Sequence, residues 1–522
     1  MVLSVRRRIG DIARADPDRT ALIGFDTNLV EQVLSWREFA DRVADAADAL
    51  RAAVDDRSRS CAVVPAGNTL PAAIAIAAAL TAEVPVFPLN PTTPLAERDA
   101  LLRLLGRRFT HGYLVDAELR PQRLDLSAGS AVADGHGTVA DGHGTVADGH
   151  GTAADGPGPG KPGTVAYLLA TGASTGIPKI SARPGPLRYD PMRTPSLVIR
   201  QAGWRSAQRQ LIVGPLYHAA PFTAFLDAML DSNTVVLQPF FAPRWTPELV
   251  HRYAIEWLQL TPTHMREILR GSPDLDPACF ASLRAMLHTA ARCDPDTKRG
   301  WIDLLGPERV YELYGATEGV GVTLVRGDEW LARPGTVGRG LLTQIRILDN
   351  DGNPVPPGMT GTVFMRTPQR VGRADYVNDQ AIRTTPDGFA TVGDHGRLDR
   401  DGYLYLEPRD HDTINVGGEK VDPDEVEAAL RDHPAVVDAV AVAVPHGTLG
   451  SVVAAHVMLR PGTSVRRAEL AAHCGRRLAG YKIPKQFTFV DQIPRSAAGK
   501  VQRWRLTSHH ETPHHENGAT PL

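Results

Sequence analysis

Short β-favouring runs, mostly apolar, recur through the chain as far as Leu406, and longer stretches of helical periodicity lie between them. The runs are Cys61–Val64, Val84–Leu89, Val165–Leu169, Gln210–Val213, Thr234–Leu237, Trp257–Leu260 and Arg309–Leu313. Helical segments are predicted over Leu70–Leu80, Leu95–Leu105 and Pro247–Ile255. Strands without polar alternation, spaced by helices, are the pattern of a sheet covered on both faces. The fold class read from this pattern is α/β, a large N-terminal domain with mixed or parallel sheets flanked by helices. The pattern predicts a strand pair, Thr391–Leu398 and Tyr403–Leu406, joined by the turn Asp399-Arg-Asp-Gly.

Beyond Glu407 the texture changes. Asp422-Pro-Asp-Glu carries an N-cap, a proline at the first helical position and acids in the first turn, and leads into Val426–Leu430. Strands over Val436–Val444 and Val452–Leu459 and a helix over Ala468–Leu478 complete a small α+β unit. The expected domains are 1–409, 410–506 and a disordered tail, 507–522. Within the first, residues 133–160 break the pattern: Ala-Asp-Gly-His-Gly-Thr recurs from Ala133, Ala140 and Ala147, with a period of seven. Rich in glycine and without an apolar stripe, this segment reads as a flexible insertion rather than a coiled coil or a metal site.

Composition narrows the function classes. Apolar residues make up 43% and charged residues 22%, with a formal net charge of −2. That balance offers no broad electrostatic attraction to nucleic acid or an anionic membrane. The longest apolar stretch, Leu70–Leu80, falls short of the roughly 18 residues of a membrane span. Four scattered cysteines, none in a C-x-x-C pair, suit a reducing compartment, and a cytoplasmic location is expected.

The stretch richest in chemistry is Tyr167-Leu-Leu-Ala-Thr-Gly-Ala-Ser-Thr-Gly-Ile-Pro-Lys179. An apolar strand enters a loop of glycines and hydroxyls whose backbone N–H groups can close on phosphate oxygens, and Lys179 adds positive charge. It is not a Walker A loop. Alone it reads equally well as a glycine-rich turn after a core strand. Four further segments follow in order: Tyr314-Gly-Ala-Thr-Glu318, Thr391-Val-Gly-Asp394, Arg409-Asp-His-Asp-Thr-Ile-Asn-Val-Gly-Gly-Glu-Lys-Val421 and Pro494-Arg-Ser-Ala-Ala-Gly-Lys500.

In order and spacing these segments resemble the adenylate-forming (AMP-dependent synthetase and ligase) superfamily, and acyl-CoA synthetases in particular. Asn68, Val84-Pro-Val-Phe-Pro-Leu-Asn-Pro91, Pro215-Leu-Tyr-His218, Pro334-Gly-Thr-Val-Gly338 and Tyr481-Lys-Ile-Pro484 extend the likeness over roughly residues 10–506. The resemblance implies that Thr171, Gly172, Ser174, Thr175, Gly176 and Lys179 cradle the β- and γ-phosphates of ATP. Thr317 would contact the α-phosphate beside Tyr314 and Gly315, and Glu318 would hold Mg²⁺. Asp394 and Arg409 would grip the ribose, Lys500 would neutralise charge at the reacting oxygens, and His218 would gate the acyl pocket. Gly417, Gly418 and Lys420 would approach the acceptor, and the small C-terminal domain would be mobile, swinging between two closed packings.

The implied reaction is ATP-dependent activation of a small aromatic or fatty carboxylic acid, then transfer to coenzyme A. Some relatives instead deliver the acid to an amine or carrier protein, or activate nitrite to diazotise an aryl amine. A binding protein that keeps the fold without turnover is disfavoured by the presence of Glu318, Asp394 and Lys500. Departures from the family pattern keep an unusual acid or acceptor open. Ala173 and Ile180 stand where relatives often have glycine, His411 occupies the hinge position, and Thr289-Ala-Ala-Arg-Cys293 only loosely matches the run expected beside adenine.

Overall fold

The structure is a computed structural model that describes residues 2–126, 165–171, 179–271, 275–367, 375–377, 382–407, 414–416, 419–447, 449–495 and 501–507. The repeat at 133–160, the proposed boundary near residue 410 and the tail from 508 lie outside these. In chain order the first elements are α1 (Val5–Ala15), β1 (Thr20–Phe25), β2 (Glu31–Ser35), α2 (Trp36–Ala53), β3 (Ser60–Pro65), α3 (Leu70–Ala82) and β4 (Val86–Leu89). Then come α4 (Leu95–Gly106), β5 (His111–Val115), β6 (Pro121–Asp125), β7 (Val165–Thr171), β8 (Lys179–Pro184), α5 (Leu197–Gln201) and β9 (Arg209–Ile212). The series continues with α6 (Ala219–Leu230), β10 (Thr234–Leu237), α7 (Trp245–Arg252), β11 (Trp257–Leu260), α8 (Pro262–Gly271), β12 (Ala285–His288), α9 (Pro295–Leu305) and β13 (Val310–Gly315).

Two sheets result. The larger runs β13-β12-β11-β9-β10-β1 in parallel, with β2 antiparallel at one edge and antiparallel strands from Val322 to Glu407 extending the other. The second contains β8-β7-β4-β3-β5-β6, parallel in its middle four strands and antiparallel at the ends. Helix α3 has no polar face to offer: alanines and branched residues line it all round, and every residue except Pro71 is buried. It sits with α6 in one hydrophobic cluster that draws on both sheets, including Ala62 and Val86 from one and Ile212 and Val235 from the other. A helix apolar on every side is stable only when covered on every side.

In each sheet the order reverses. The chain passes from β9 to β10 on one side, then returns to place β11 on the other side of β9. Such a reversal leaves a crevice beyond the C-terminal strand ends, because the connecting loops diverge there. Asn68, at the head of α3, ties the two sheets together at this level. Its Nδ2 lies 3.1 Å from the Gly214 carbonyl and 2.9 Å from that of Gln238, and its Oδ1 accepts the Leu216 N–H at 3.0 Å. One carboxamide from the second sheet therefore fixes the loops leaving β9 and β10 in the first.

Residues 414–506 build their own core around Val421, Val426, Leu430, Val440, Val457 and Leu470. The sheet is larger than the pattern predicts. Ile414–Val416, Glu419–Val421 and Gln486–Phe489 join the long hairpin Val436–His446/Gly450–Leu459. These three strands are too short for periodicity to reveal them. Arg292 to Asp422 (3.0 Å) and Arg270 to the Val437 carbonyl (2.6 Å) join this unit to the larger one. Among the described residues no helix is long and apolar enough to cross a membrane.

Because Asn68 answers three backbone groups that water does not reach, Asn68→Ala should cost about 2–4 kcal/mol in denaturant unfolding. A loss below 1 kcal/mol would show that the two loops are held by packing alone.

Candidate active site

Among the described residues, His218 follows the parallel strand β9, and Tyr314, Thr317 and Glu318 lie at and beyond the end of the parallel strand β13. The loop after β9 carries Tyr217 and His218, whose rings lie 4.6 Å apart, and His218 is the residue immediately before α6. The loop after β10 carries Phe241, held by Gln238, which is fully buried, accepts from Thr246 and donates to the Phe240 carbonyl. Immediately after β11, His264 stacks on Phe241 at 4.4 Å. His218 and His264 thus flank the strand-order reversal.

After β13 the chain turns through Thr317 and Glu318, with the Gly319 N–H donating to the Ala316 carbonyl at 2.9 Å and Gly319 in the left-handed region at φ 65°. Glu318 is almost fully buried, which for a carboxylate demands a partner of opposite charge or hydrogen-bond donors. Tyr314 donates its phenolic O–H to Asp394 at 2.6 Å, joining two motif segments far apart in sequence. The strand expected over Thr391–Leu398 begins only at His395. The Thr391 hydroxyl accepts the Gly393 N–H at 3.0 Å and Gly393 takes φ 87°, so the chain turns where extension was expected and presents Asp394 from a bend.

Thr171 closes β7 and Lys179 opens β8, and the two face each other in the antiparallel register. β7 and β8 are therefore an antiparallel pair adjacent in sequence. Gly172, Ser174, Thr175 and Gly176 lie outside the described residues, as do Arg409, His411, Gly417, Gly418 and Lys500. Lys420 is placed by its backbone, opposite Asn415 in the small sheet.

A charged group lies beneath the turn. Glu312, two residues before Tyr314, is paired with Lys298 of α9, which is only 1% exposed. The Lys298 ammonium also lies 4.7 Å from the centre of the Trp330 ring. His288, at the end of β12, is 4.0 Å from the Glu312 carboxylate and completely buried, and burial with Lys298 nearby pushes its pKa well below the usual imidazole value. Burial, reinforced by His218, pushes His264 down to about 4. Both imidazoles are neutral at physiological pH. Two residues beyond His288, Ala290 takes φ 80°, a conformation glycine reaches without strain. The run expected beside adenine therefore keeps a glycine-like backbone without the glycine.

His264 and the Lys298–Glu312 pair escaped the sequence reading. A histidine just past a strand is a weak signal by itself, and the ion pair bridges a helix to a strand at a separation no motif records. The position that follows each parallel strand would have pointed to His264, once β11 is placed next to β9.

Residues 11–372 match the model for the AMP-binding enzyme family, and residues 425–500 match that for the AMP-binding enzyme C-terminal domain. The sulfoacetate–CoA ligase of Cupriavidus necator is 32% identical over 359 residues, 67% of this chain and 68% of that one. The fatty acid–[acyl-carrier-protein] ligase ScoC of Streptomyces coeruleorubidus is 29% identical over 355 residues, 66% of this chain and 67% of that one. Among solved structures, ATP-bound MatB from Rhodopseudomonas palustris superposes with a TM-score of 0.75 at 23% identity, covering 98% of this chain and 99% of that one.

Two outcomes follow from the buried charges. Lys298→Met strands Glu312 and should cost about 3–5 kcal/mol, most of it recovered in Lys298→Met/Glu312→Leu, measured by chemical unfolding. Equal losses in the single and double variants would contradict a coupled pair. For His264, whose pKa falls from 6.5 to about 4 on folding, the unfolded chain takes up the proton first. Stability is therefore undiminished by this group above pH 6.5 and falls as the pH drops toward 4, by which point the loss amounts to about 3 kcal/mol. The stability of His264→Phe should fall less than that of the parent over this interval, and parallel curves would refute the assignment.

Proposed function

The chain belongs to the AMP-binding enzyme family, and from that premise we propose that it activates a small aromatic or fatty carboxylic acid as its adenylate and transfers it to coenzyme A. The observation that carries this reading is the Tyr314–Asp394 bond. It brings an acceptor suited to ribose hydroxyls next to the Thr317–Glu318 turn, beyond the ends of the parallel strands. The named relatives support an acid substrate passed to an acceptor.

In this reading ATP lies across the C-terminal edge of the large sheet. Asp394, fixed by Tyr314, accepts from the ribose, with Arg409 beside it. Backbone N–H groups between Thr171 and Lys179 take the β- and γ-phosphates. Thr317 donates to the α-phosphate. Glu318 is the carboxylate that would hold Mg²⁺. When bound, the ion would neutralise phosphate charge. The acid enters past His218, and its carboxylate oxygen attacks the α-phosphorus while the bond to pyrophosphate breaks. Lys500 offsets the charge that builds on those oxygens. Domain rotation then brings Gly418 and Lys420 to the acceptor side, where a thiolate attacks the acyl carbonyl and AMP departs.

Acid-dependent ATP–pyrophosphate exchange tests the proposal, with aryl, fatty and short sulfonated acids and nitrite in the panel. Exchange with a carboxylic acid is expected, followed by thioester formation when coenzyme A is added. Exchange with nitrite alone, or acyl transfer only to a carrier protein or an amine, would replace it. Two variants sharpen the roles. Lys500→Ala should lose adenylate formation by about a hundredfold or more while retaining thioester formation from supplied adenylate; equal loss in both half-reactions would contradict the domain rotation. Tyr314→Phe should raise KM for ATP by about tenfold with kcat nearly unchanged, since it loosens only a ground-state contact. An unchanged KM would remove Asp394 from the ribose.

A further inference from the structure

Helix α8 carries His264 in its first turn and meets the small unit at its other end. Pro262, His264, Met265 and Ile268 are its buried residues, so at helical spacing Arg266, Glu267 and Arg270 fall on the opposite side. Arg266 and Arg270 stand one turn apart, which like charges disfavour unless a partner faces them. The first strand of the small unit's hairpin supplies that partner. The Arg270 guanidinium donates to the Val437 carbonyl at 2.6 Å. Val437 is an extra residue in its strand: Val436 pairs with Leu459 and Asp438 with Met458, which leaves Val437 without a register partner. A bulge of this kind interrupts the ladder and re-aims the side chain next to it.

That side chain is Asp438, and arginines gather around it. It pairs with Arg495 at 2.5 Å and lies 3.8 Å from Arg431, both of its own unit. Burial raises the Asp438 carboxyl, yet Arg495, Arg266 of α8 and Arg431 outweigh it and hold the group below the usual carboxylate range. Burial lifts Glu267 of α8 against the pull of Arg495 and Arg266. Arg266, Glu267 and Arg270 therefore face Asp438 and Arg495 across the junction of the two units, and Arg292 to Asp422, at 3.0 Å, is a separate crossing. Arg495 is in turn bridged to Val501, the residue directly after Lys500, and the Gln502 N–H donates to the Pro494 carbonyl at 2.9 Å. The residues that flank the Lys500 segment are thus tied to Asp438.

We propose that Arg266 and Arg270 are positioning residues for adenylate formation: with Asp438 they hold the small unit in the packing that serves this step, and the packing that serves acyl transfer gives these contacts up. This rests on the adenylation reading and adds to it the residues by which this chain favours one packing over the other. The contacts are polar, shared among several charges and partly buried, so they exceed an isolated surface pair yet break without opening an apolar core. Removing an arginine from α8 touches no substrate and shifts only the balance between the two packings.

The test separates the two half-reactions. Arg266→Met, Arg270→Met, Asp438→Asn and the double variant Arg266→Met/Asp438→Asn are assayed in ATP–pyrophosphate exchange and, separately, in acyl transfer from supplied adenylate to the parent's acceptor. Each arginine variant should lower exchange by about tenfold and leave acyl transfer at the parent rate or above it. The double variant should lose no more exchange than the larger single loss, as coupled partners do. Equal loss in both half-reactions, unchanged exchange, or losses that multiply in the double variant overturn the proposal. Should Asp438→Asn not fold, the two arginine variants carry the comparison, since neither removes a contact inside the small unit. If the parent supports exchange with no acid, the adenylation reading fails, and amide hydrogen exchange read by mass spectrometry decides the contact alone. Faster exchange of residues 262–271 together with 436–446 in Arg270→Met supports it, and a change confined to α8, or none, refutes it.

Discussion

The geometry of this protein depends on the constraint that two separate sheets must end at the same level, with their C-terminal loops facing one crevice. Asn68 enforces it. Its carboxamide, buried at the head of α3, bonds to Gly214, Gln238 and Leu216 on loops that belong to the other sheet. Packing of α3 and α6 brings the sheets together, but apolar contacts are non-directional and tolerate sliding. A buried amide that must satisfy both its donors and its acceptor does not. The loops bearing His218 and Phe241 are thereby held in place before any substrate arrives.

That fixed frame supports a site with little charge of its own to spare. His264 and His288 stay neutral through burial. Lys298 and Glu312 neutralise each other beneath the Tyr314–Glu318 turn. In the proposed reading a polyanionic nucleotide would meet the rim, at the β7–β8 hairpin and the Asp394 bend. A rigid, internally satisfied floor under a polar rim favours charge stabilisation at the developing transition state, because the dipoles need not reorganise.

The apolar strands of the two sheets were legible in the sequence because burial on both faces removes the polar alternation that blurs edge strands. The glycine-rich turn after β7 was legible through its glycines and hydroxyls, though not the return strand β8, and the helix at Asp422 was legible through its cap. Three kinds of feature were not. Strands of three residues, such as Ile414–Val416, are shorter than any period. The bend at Thr391–Gly393 depends on a single hydroxyl and a positive φ. His264 gains meaning only from a neighbour that topology supplies, another histidine across the strand reversal.

The central claim is that a carboxylate oxygen attacks the α-phosphorus of ATP at this crevice. Heavy-oxygen label in the carboxylate of an accepted acid reports it directly, read by mass spectrometry of the released nucleotide after acyl transfer. The account predicts AMP carrying a single labelled oxygen and unlabelled pyrophosphate. Label in orthophosphate with release of ADP would mean attack at the γ-phosphorus, and would contradict it.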